Sequence, residues 1–482
     1  MGQSFKWNMR NTQGKARGSE MEPIQNLPKH QRYRTDYRRF GLYWGLGVEL
    51  ETYIATSQTR KVPTFTAINM KPERYSVSYY RAYQSEKLMK ALARVIADVS
   101  GAGGLTVPIL MNCHSLTDCD VYGEHATTYE RVPKQNTRYA DQTMFEWICQ
   151  FSPWLRNEFG NVFMWDGDTV EFMTQRFYCA RVEDVLTELR VGQQRFVQEL
   201  NRLPRVGVLA AYAPLRLTYP DNPPWATYLT HQRGISMFNN GTIHVNVTLP
   251  TRLGWNRRPL CMRSFVDRHR SLARLVQWME PIWVALYGSG DPFASSSQEG
   301  VGAAGSQRLA VSRYIGVGTY DTERMPAGKL LQVPRASLGP LPWYEWLHAR
   351  TAYAPLDVIG LDINFNKHWA HGLELRFLDQ MPEVGLRAVL HDLVVLMDIV
   401  QAGTSRILNP VTDVRWQKAA GSALLEGIEW CVEAEFLNVL AEVLGLRGYE
   451  PKEPRPVSVA IGHLRAAMVW RRGDCWRRMV GP

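Results

Sequence analysis

The chain is poor in the features that announce common functions. Its seven cysteines (Cys113, Cys119, Cys149, Cys179, Cys261, Cys431 and Cys475) are scattered, odd in number and never spaced Cys-x-x-Cys. That pattern argues against a disulfide framework or a structural zinc site and for reduced thiols in a cytosol-like compartment, so a cytoplasmic protein is expected. The Asn-x-Ser/Thr matches at Asn240 and Asn246 are then accidents of composition. No apolar run approaches the length that crosses a bilayer. The opening MGQSFKWNMR lacks an apolar h-region, and Lys6 stands where a myristoylation signal needs Ser or Thr. A secretory signal, a lipid anchor and a membrane partner are therefore not expected.

Nucleotide and nucleophile signatures are missing as well. There is no GxxxxGK[ST], no GxGxxG after a strand and no GxSxG, and the glycines of 288–306 lack the lysine of a P-loop. Cys113 and His114 are adjacent in sequence, whereas a nucleophile and its base must be neighbours in space.

What is present is globular. The 482 residues are 45% hydrophobic with 16 Trp and 21 Tyr, enough for one large domain with insertions or for two to three ordinary ones. The net charge of +10 is unevenly spread: residues 1–40 hold nine Lys/Arg against three acids. Residues 1–39 accordingly read as a basic flexible extension, able to contact a polyanion but more ordinarily just solvated. The C-terminal VWRRGDCWRRMVGP interleaves Arg471, Arg472, Arg477 and Arg478 with Trp470 and Trp476. Such a segment can stack on bases or dock on its own domain through cation–π contacts, and the sequence leaves both open. The expected organisation is thus an extension over 1–39, a domain over 40–450 and a basic Arg/Trp tail over 451–482. The domain carries an irregular insertion at about 105–160 and a mobile Gly/Ser loop at 288–306.

Periodicity places the elements. Strands are expected at 40–56, after the Asp166-Gly167-Asp168 turn, at 239–250 and at 371–382. Helices are expected over 79–104, over 182–203 with Val185, Leu186, Leu189, Phe196, Val197 and Leu200 on one stripe, and from about Ser264 to Tyr287. Two more are expected, over 384–403 and from about Trp416 to Leu446. Strands precede helices rather than alternating with them, which gives an α+β fold: an antiparallel sheet with helices on one face and a site on the other.

The strands themselves say what that site holds. In GLGVELETYI, Val48 and Leu50 alternate with Glu49 and Glu51, so both acids project to one side, about 7 Å apart. Glu171 alternates with Val170 and Phe172, His244 and Asn246 with Ile243 and Val245, and Glu374 and Arg376 with Leu373, Leu375 and Phe377. A single acid on a strand is usually a solvated surface residue. Four strands sharing one sheet would instead gather four carboxylates, an imidazole and a guanidinium, and such a cluster needs cations. Hard oxygen ligands on an open face suit Mg²⁺ or Mn²⁺, and an arginine beside them suits a phosphoryl group, so metal-assisted phosphoryl transfer from a nucleotide is expected.

These segments, in this order over about 41–400, resemble the glutamate–cysteine ligases and related amidoligases. YWGLGVELETY resembles their first acidic strand, TVEFMT the second, TIHVNVTLP the histidine strand, and GLELRFLDQMP the strand whose glutamate binds metal and whose arginine meets the γ-phosphate. RLVQWMEPIWVALYGSGDPF and VSRYIGVGTYD are similar to their Ser-Pro-Phe and Ser-Arg-Tyr segments. The resemblance implies a glutamine-synthetase-like concave polar sheet. It makes Glu49, Glu51, Glu171 and Glu374 metal ligands, His244 a further metal ligand or phosphate contact, Arg376 and Asn246 ATP contacts, Arg376 and Glu374 the catalytic pair, and Arg313 the contact for the substrate's carboxylate. The implied reaction consumes ATP to join a glutamate-like carboxylate to an amine, cysteine or another amino acid, through an acyl phosphate. One departure stands out: Met164 occupies a position, seven before Glu171, where the ligases usually carry an acid, with Asp166 and Asp168 the nearest substitutes. The alternative is a non-enzymatic descendant of the fold with a structural or nucleic-acid-associated role through its basic ends.

Overall fold

The computed structural model describes residues 42–62, 105–111, 151–166, 169–202, 213–218, 242–252, 259–289, 305–306, 321–323, 362–365, 372–403 and 407–481. Arg313, Cys113, His114, the 1–39 extension, the 79–104 helix and most of the 288–306 loop lie outside these residues.

A mixed helical and antiparallel-sheet fold results. Strand β1 (Tyr43–Val62) is the longest and sits centrally. Its first half pairs on one side with β4 (Thr169–Met173), which continues to β3 (Phe163–Asp166), and on the other with β6 (Thr242–Thr251). Beyond β6 come β8 (Leu373–Asp379) and β7 (Ile363–Phe365), and every one of these pairings is antiparallel. The second half of β1 takes different partners, β2 (Leu105–Met111) and β5 (Arg216–Thr218). The start of the expected irregular insertion is therefore a strand. Its Leu-Thr-Val-Pro-Ile-Leu-Met run lacks strict alternation, and Pro108 lowers its strand signal.

Period-2 alternation sorts the two faces. Leu46, Val48, Leu50, Val170, Phe172, Ile243, Val245, Leu373, Leu375 and Phe377 are all buried. After the short helix α1 (Pro153–Glu158), the helices α2 (Val182–Arg202) and α3 (Met262–Tyr287) pack over this side. On α2 the buried residues include Val185, Leu186, Leu189, Phe196 and Leu200, with Val197 half-buried at the stripe's edge. Phe196 fixes it to the sheet, its ring edge-on to Phe163 at 4.8 Å and to Phe172 at 5.3 Å. On α3, Trp283 stacks on Phe377 of β8 at 6.3 Å while its indole N–H donates to Asp392 at 3.0 Å. Deleting a buried indole of this kind costs about 3–5 kcal/mol.

Behind α3 lies α4 (Glu383–Gln401), an apolar helix with Asp392 and Asp398 buried among its hydrophobic residues. No described helix is long and apolar enough to cross a membrane. The stretch expected to be one helix from Trp416 to Leu446 is two: α5 (Val414–Glu426) and α6 (Ala434–Leu444). They are separated by Gly427, whose φ of +56° stops the first helix, and by the two-residue strand β9 (Cys431–Val432), paired with β10 (Arg455–Pro456).

The Arg/Trp segment is docked. It folds into α7 (Val457–Met468) and α8 (Asp474–Met479). Asp398 accepts the backbone N–H groups of Gly473, Cys475 and Trp476 at 2.8–2.9 Å, supplying from α4 the N-terminal cap that α8 lacks in its own sequence. Arg465 grips Asp392 through Nε and Nη2 at 2.9 and 2.7 Å. Arg472 lies over the Trp476 ring at 3.8 Å, and Arg478 faces Trp44 at 5.7 Å. Trp470 alone of this segment's indoles projects into solvent, 90% exposed.

Candidate metal centre on the polar sheet face

The face opposite the helices collects most of the sequence-predicted residues, and they are largely buried. Glu51, Glu171, His244 and Glu374 are buried, and Glu49 is half-buried. Register explains who meets whom. Glu49 lies opposite His244 and Gly47 opposite Asn246 across β1 and β6. Asn246 lies opposite Glu374 across β6 and β8. One row further along, Glu51 lies opposite Glu171, and Glu171 opposite Met164.

Three residues converge. Glu49, His244 and Glu374 each present a ligand atom within 4.8 Å of the others. His244 Nδ1 is 3.4 Å from Glu49 Oε2 and 3.8 Å from Glu374 Oε1. The β6–β8 register shifts between Ile243 and Val245, where two residues of β8, Arg376 and Phe377, stand against the single residue His244, a bulge in β8 beside the site. Asn246 Nδ2 donates to Glu49 Oε1 at 3.2 Å, and Arg376 Nη1 donates to Glu374 Oε1 at 3.2 Å. Arg376 Nε is buried and has no partner among the described residues, so that donor remains available on the same face.

Glu51 and Glu171 stand outside this trio. Glu51 Oε2 accepts both the backbone N–H and the hydroxyl of Thr242, each at 2.9 Å. Met164, opposite Glu171, is 37% exposed, so the thioether occupies the place of the expected acid on the same row. Arg313 lies outside the described residues, as does Asp168, and the side chain of Asp166 is not described.

Burial lowers the pKa of His244 below its ordinary value. Donation from the ring to the Glu49 carboxylate pulls the other way, and the Arg376 guanidinium adds to the depression. A neutral imidazole between two carboxylates is a donor set for a divalent cation: one nitrogen and two oxygens, hard enough for Mg²⁺ and better matched to Mn²⁺.

The glycines of the first strand have a place in this geometry. A Cβ on Gly45 or Gly47 would collide with the Phe177 ring, which lies against this stretch of β1; at Gly47 the approach would be 2.8 Å. The segment is tied down by Leu46 N–H to Phe177 O at 2.9 Å and Val48 N–H to Thr174 Oγ1 at 3.0 Å. GLGVELE thus joins a glycine stretch that admits an aromatic ring to an acidic stretch that faces the histidine. Thr242 was missed from sequence. It is the first polar residue of the alternation Thr242, His244, Asn246, Thr248, and that alternation was the signal that could have found it.

These features define an α+β protein with a buried carboxylate–imidazole centre on an antiparallel sheet. No protein-family model matches the chain. The chain belongs to the family of "Uncharacterized protein R704" of Acanthamoeba polyphaga mimivirus, with which it is 33% identical over 428 residues, 88% of this chain and 74% of that protein. Among solved structures, a bifunctional glutathione synthetase from Pasteurella multocida aligns with 94% of the chain at 12% identity and a TM-score of 0.34. The alignment takes in 51% of that structure's chain, and a score this low does not define a common fold.

Proposed function

We propose that the chain is an ATP- and Mg²⁺-dependent carboxylate–amine ligase with a glutamine-synthetase-like arrangement of its polar face. The observation that carries this reading is the convergence of Glu49, His244 and Glu374, with Arg376 hydrogen-bonded to Glu374. In this reading Glu49, His244 and Glu374 hold a divalent cation, Mg²⁺ or Mn²⁺, and the Glu51–Glu171 row lies beside it. When bound, such a cation neutralises phosphate charge in a dry site.

The chain's own groups would do the rest. Asn246 fixes the orientation of Glu49, and Arg376 offers its remaining donors to a transferring phosphoryl group. The γ-phosphoryl group of ATP passes to a substrate carboxylate, and an amine then displaces phosphate from the acyl phosphate, leaving an amide, ADP and phosphate. Little acid–base chemistry is asked of the protein, and positioning supplies most of the rate. A glutamate-like acid held by Arg313 and an amino-acid amine, cysteine being the nearest known, are the substrates that the sequence resemblance favours.

The non-enzymatic alternative draws on the basic ends. Arg465, Arg472 and Arg477 are engaged with Asp392, Trp476 and Asp474, which leaves fewer C-terminal cations for a polyanion. The deciding experiment is calorimetry of ATP binding with and without Mg²⁺ on wild type and Glu374→Gln. Magnesium-dependent binding that disappears in the variant supports the ligase reading. Absence of binding in wild type, or binding indifferent to the variant, overturns it.

A further inference from the structure

Thr242 is buried on the metal-centre face and touches both Glu51 and His244. Its backbone N–H and its hydroxyl both reach Glu51 Oε2 at 2.9 Å, while the same hydroxyl oxygen lies 3.1 Å from His244 Nε2. Glu51 Oε2 accepts a backbone N–H, and an ionised Glu51 accepts the single hydroxyl proton of Thr242 as well. The oxygen of Thr242 is then free to accept from His244 Nε2. His244 Nδ1 faces the two acids, 3.4 Å from Glu49 Oε2 and 3.8 Å from Glu374 Oε1. Without a cation an Nδ1–H can donate to Glu49; a bound cation would take the Nδ1 lone pair in place of that proton, and Thr242 would then receive the Nε2–H.

We infer that Thr242 is a positioning residue, which presents His244 Nδ1 to a divalent cation shared with Glu49 and Glu374 and holds Glu51 out of that cluster. This rests on the cation reading given above. The logic is that of histidine ligands elsewhere: the hydrogen bond at one ring nitrogen decides which nitrogen binds metal, and losing it typically weakens binding 10- to 100-fold. It also accounts for Glu51, whose position two residues from Glu49 would otherwise qualify it as a ligand of the same ion.

Mn²⁺ is the probe. Its binding to the full chain is measured by electron paramagnetic resonance of the free ion for wild type, Thr242→Val and Thr242→Ser. Thr242→Val keeps the volume and removes the hydroxyl, and it should bind Mn²⁺ roughly 10- to 100-fold more weakly. Thr242→Ser restores the hydroxyl and should bind close to wild type. With Mg²⁺ bound, ¹⁵N-histidine spectra should show His244 protonated at Nε2 in wild type and losing that preference in Thr242→Val. If Thr242→Val does not fold, the wild-type ring in the Mg²⁺-loaded protein decides: Nδ1 protonation there overturns the inference. Wild type that binds Mn²⁺ together with an equally tight Thr242→Val overturns this inference alone. Wild type that binds no Mn²⁺ overturns the cation reading and this inference with it.

Discussion

Strand β6 has a histidine on each side, and the two are used in opposite ways. His269 of α3 is fully buried on the helical side; its Nε2 accepts the Leu249 backbone N–H at 3.0 Å and its Nδ1 donates to the Phe265 carbonyl at 2.7 Å. Both nitrogens are consumed by main chain, and burial pushes its pKa down to about 4. His244, on the other side, commits Nε2 to a hydroxyl and turns Nδ1 toward two carboxylates. Burial alone therefore does not distinguish a structural histidine from a candidate ligand. What distinguishes them is whether the second nitrogen meets a backbone carbonyl, which accepts its N–H and ends the matter, or two carboxylates, which can share a proton or a cation with it.

The sharpest way to separate the two sides is to remove charge from the polar one. Glu374→Gln is nearly isosteric, and its divalent-cation affinity should fall by more than the roughly 10- to 100-fold typical of an outer-shell change, while urea unfolding stays near wild type; calorimetry with Mn²⁺ and a denaturation curve read the pair. On the helical side the order of effects reverses. His269→Ala should lose about 3 kcal/mol in urea unfolding, combining a cavity with an orphaned Leu249 N–H, and leave cation affinity largely intact.

The same histidine gives a pH signature. In the unfolded chain His269 titrates near its ordinary 6.5, and in the folded protein near about 4. Between these values the unfolded state binds the proton and the native state does not. Stability contributed by the neutral ring is thus complete above about pH 6.5 and drains away as pH falls toward about 4, by up to about 3 kcal/mol. Denaturant midpoints measured from pH 7 to pH 4 should show this slope in wild type and a shallower one in His269→Gln. The smallest change is expected at the C-terminal segment: Arg472→Ala removes the stacking on Trp476 and should cost about 0.5–1 kcal/mol, readable as a slight lowering of the thermal midpoint.

Much of this comparison could be read before any coordinates. Alternation at 48–51, 170–172, 243–246 and 373–377 placed each acid on the face away from its hydrophobic neighbours, and the buried stripe of α2 followed from 3.6-residue spacing. Two things were not legible. The first was register. Whether Glu51 or Glu49 stands opposite His244 depends on a pairing between residues nearly two hundred apart, and a two-residue slip, which keeps both acids on the same face, would exchange them. The second was competition for hydrogen bonds. Nothing in TIHVNV says that its threonine would claim Glu51, and the break at Gly427 was hidden because apolar spacing continues on both sides of it. The docking of the Arg/Trp segment was undecidable for a similar reason, since it turns on Asp392 and Asp398 far earlier in the chain.

The two-partner nature of β1 has a mechanical consequence. Its twenty residues, at most on the order of 65 Å if fully extended, are clamped near one end by β4 and β6 and toward the other by β2 and β5, with a register shift against β2 between Ala55 and Thr59. A rod held in two vices can bend or twist between them, but it cannot slide. Sliding by a single residue would swing Glu49 and Glu51 into the apolar layer and bring Val48 and Leu50 out to face the histidine. Control over this centre therefore has to come from what covers it or what approaches it, because the strand that carries its first two acids has no axial play.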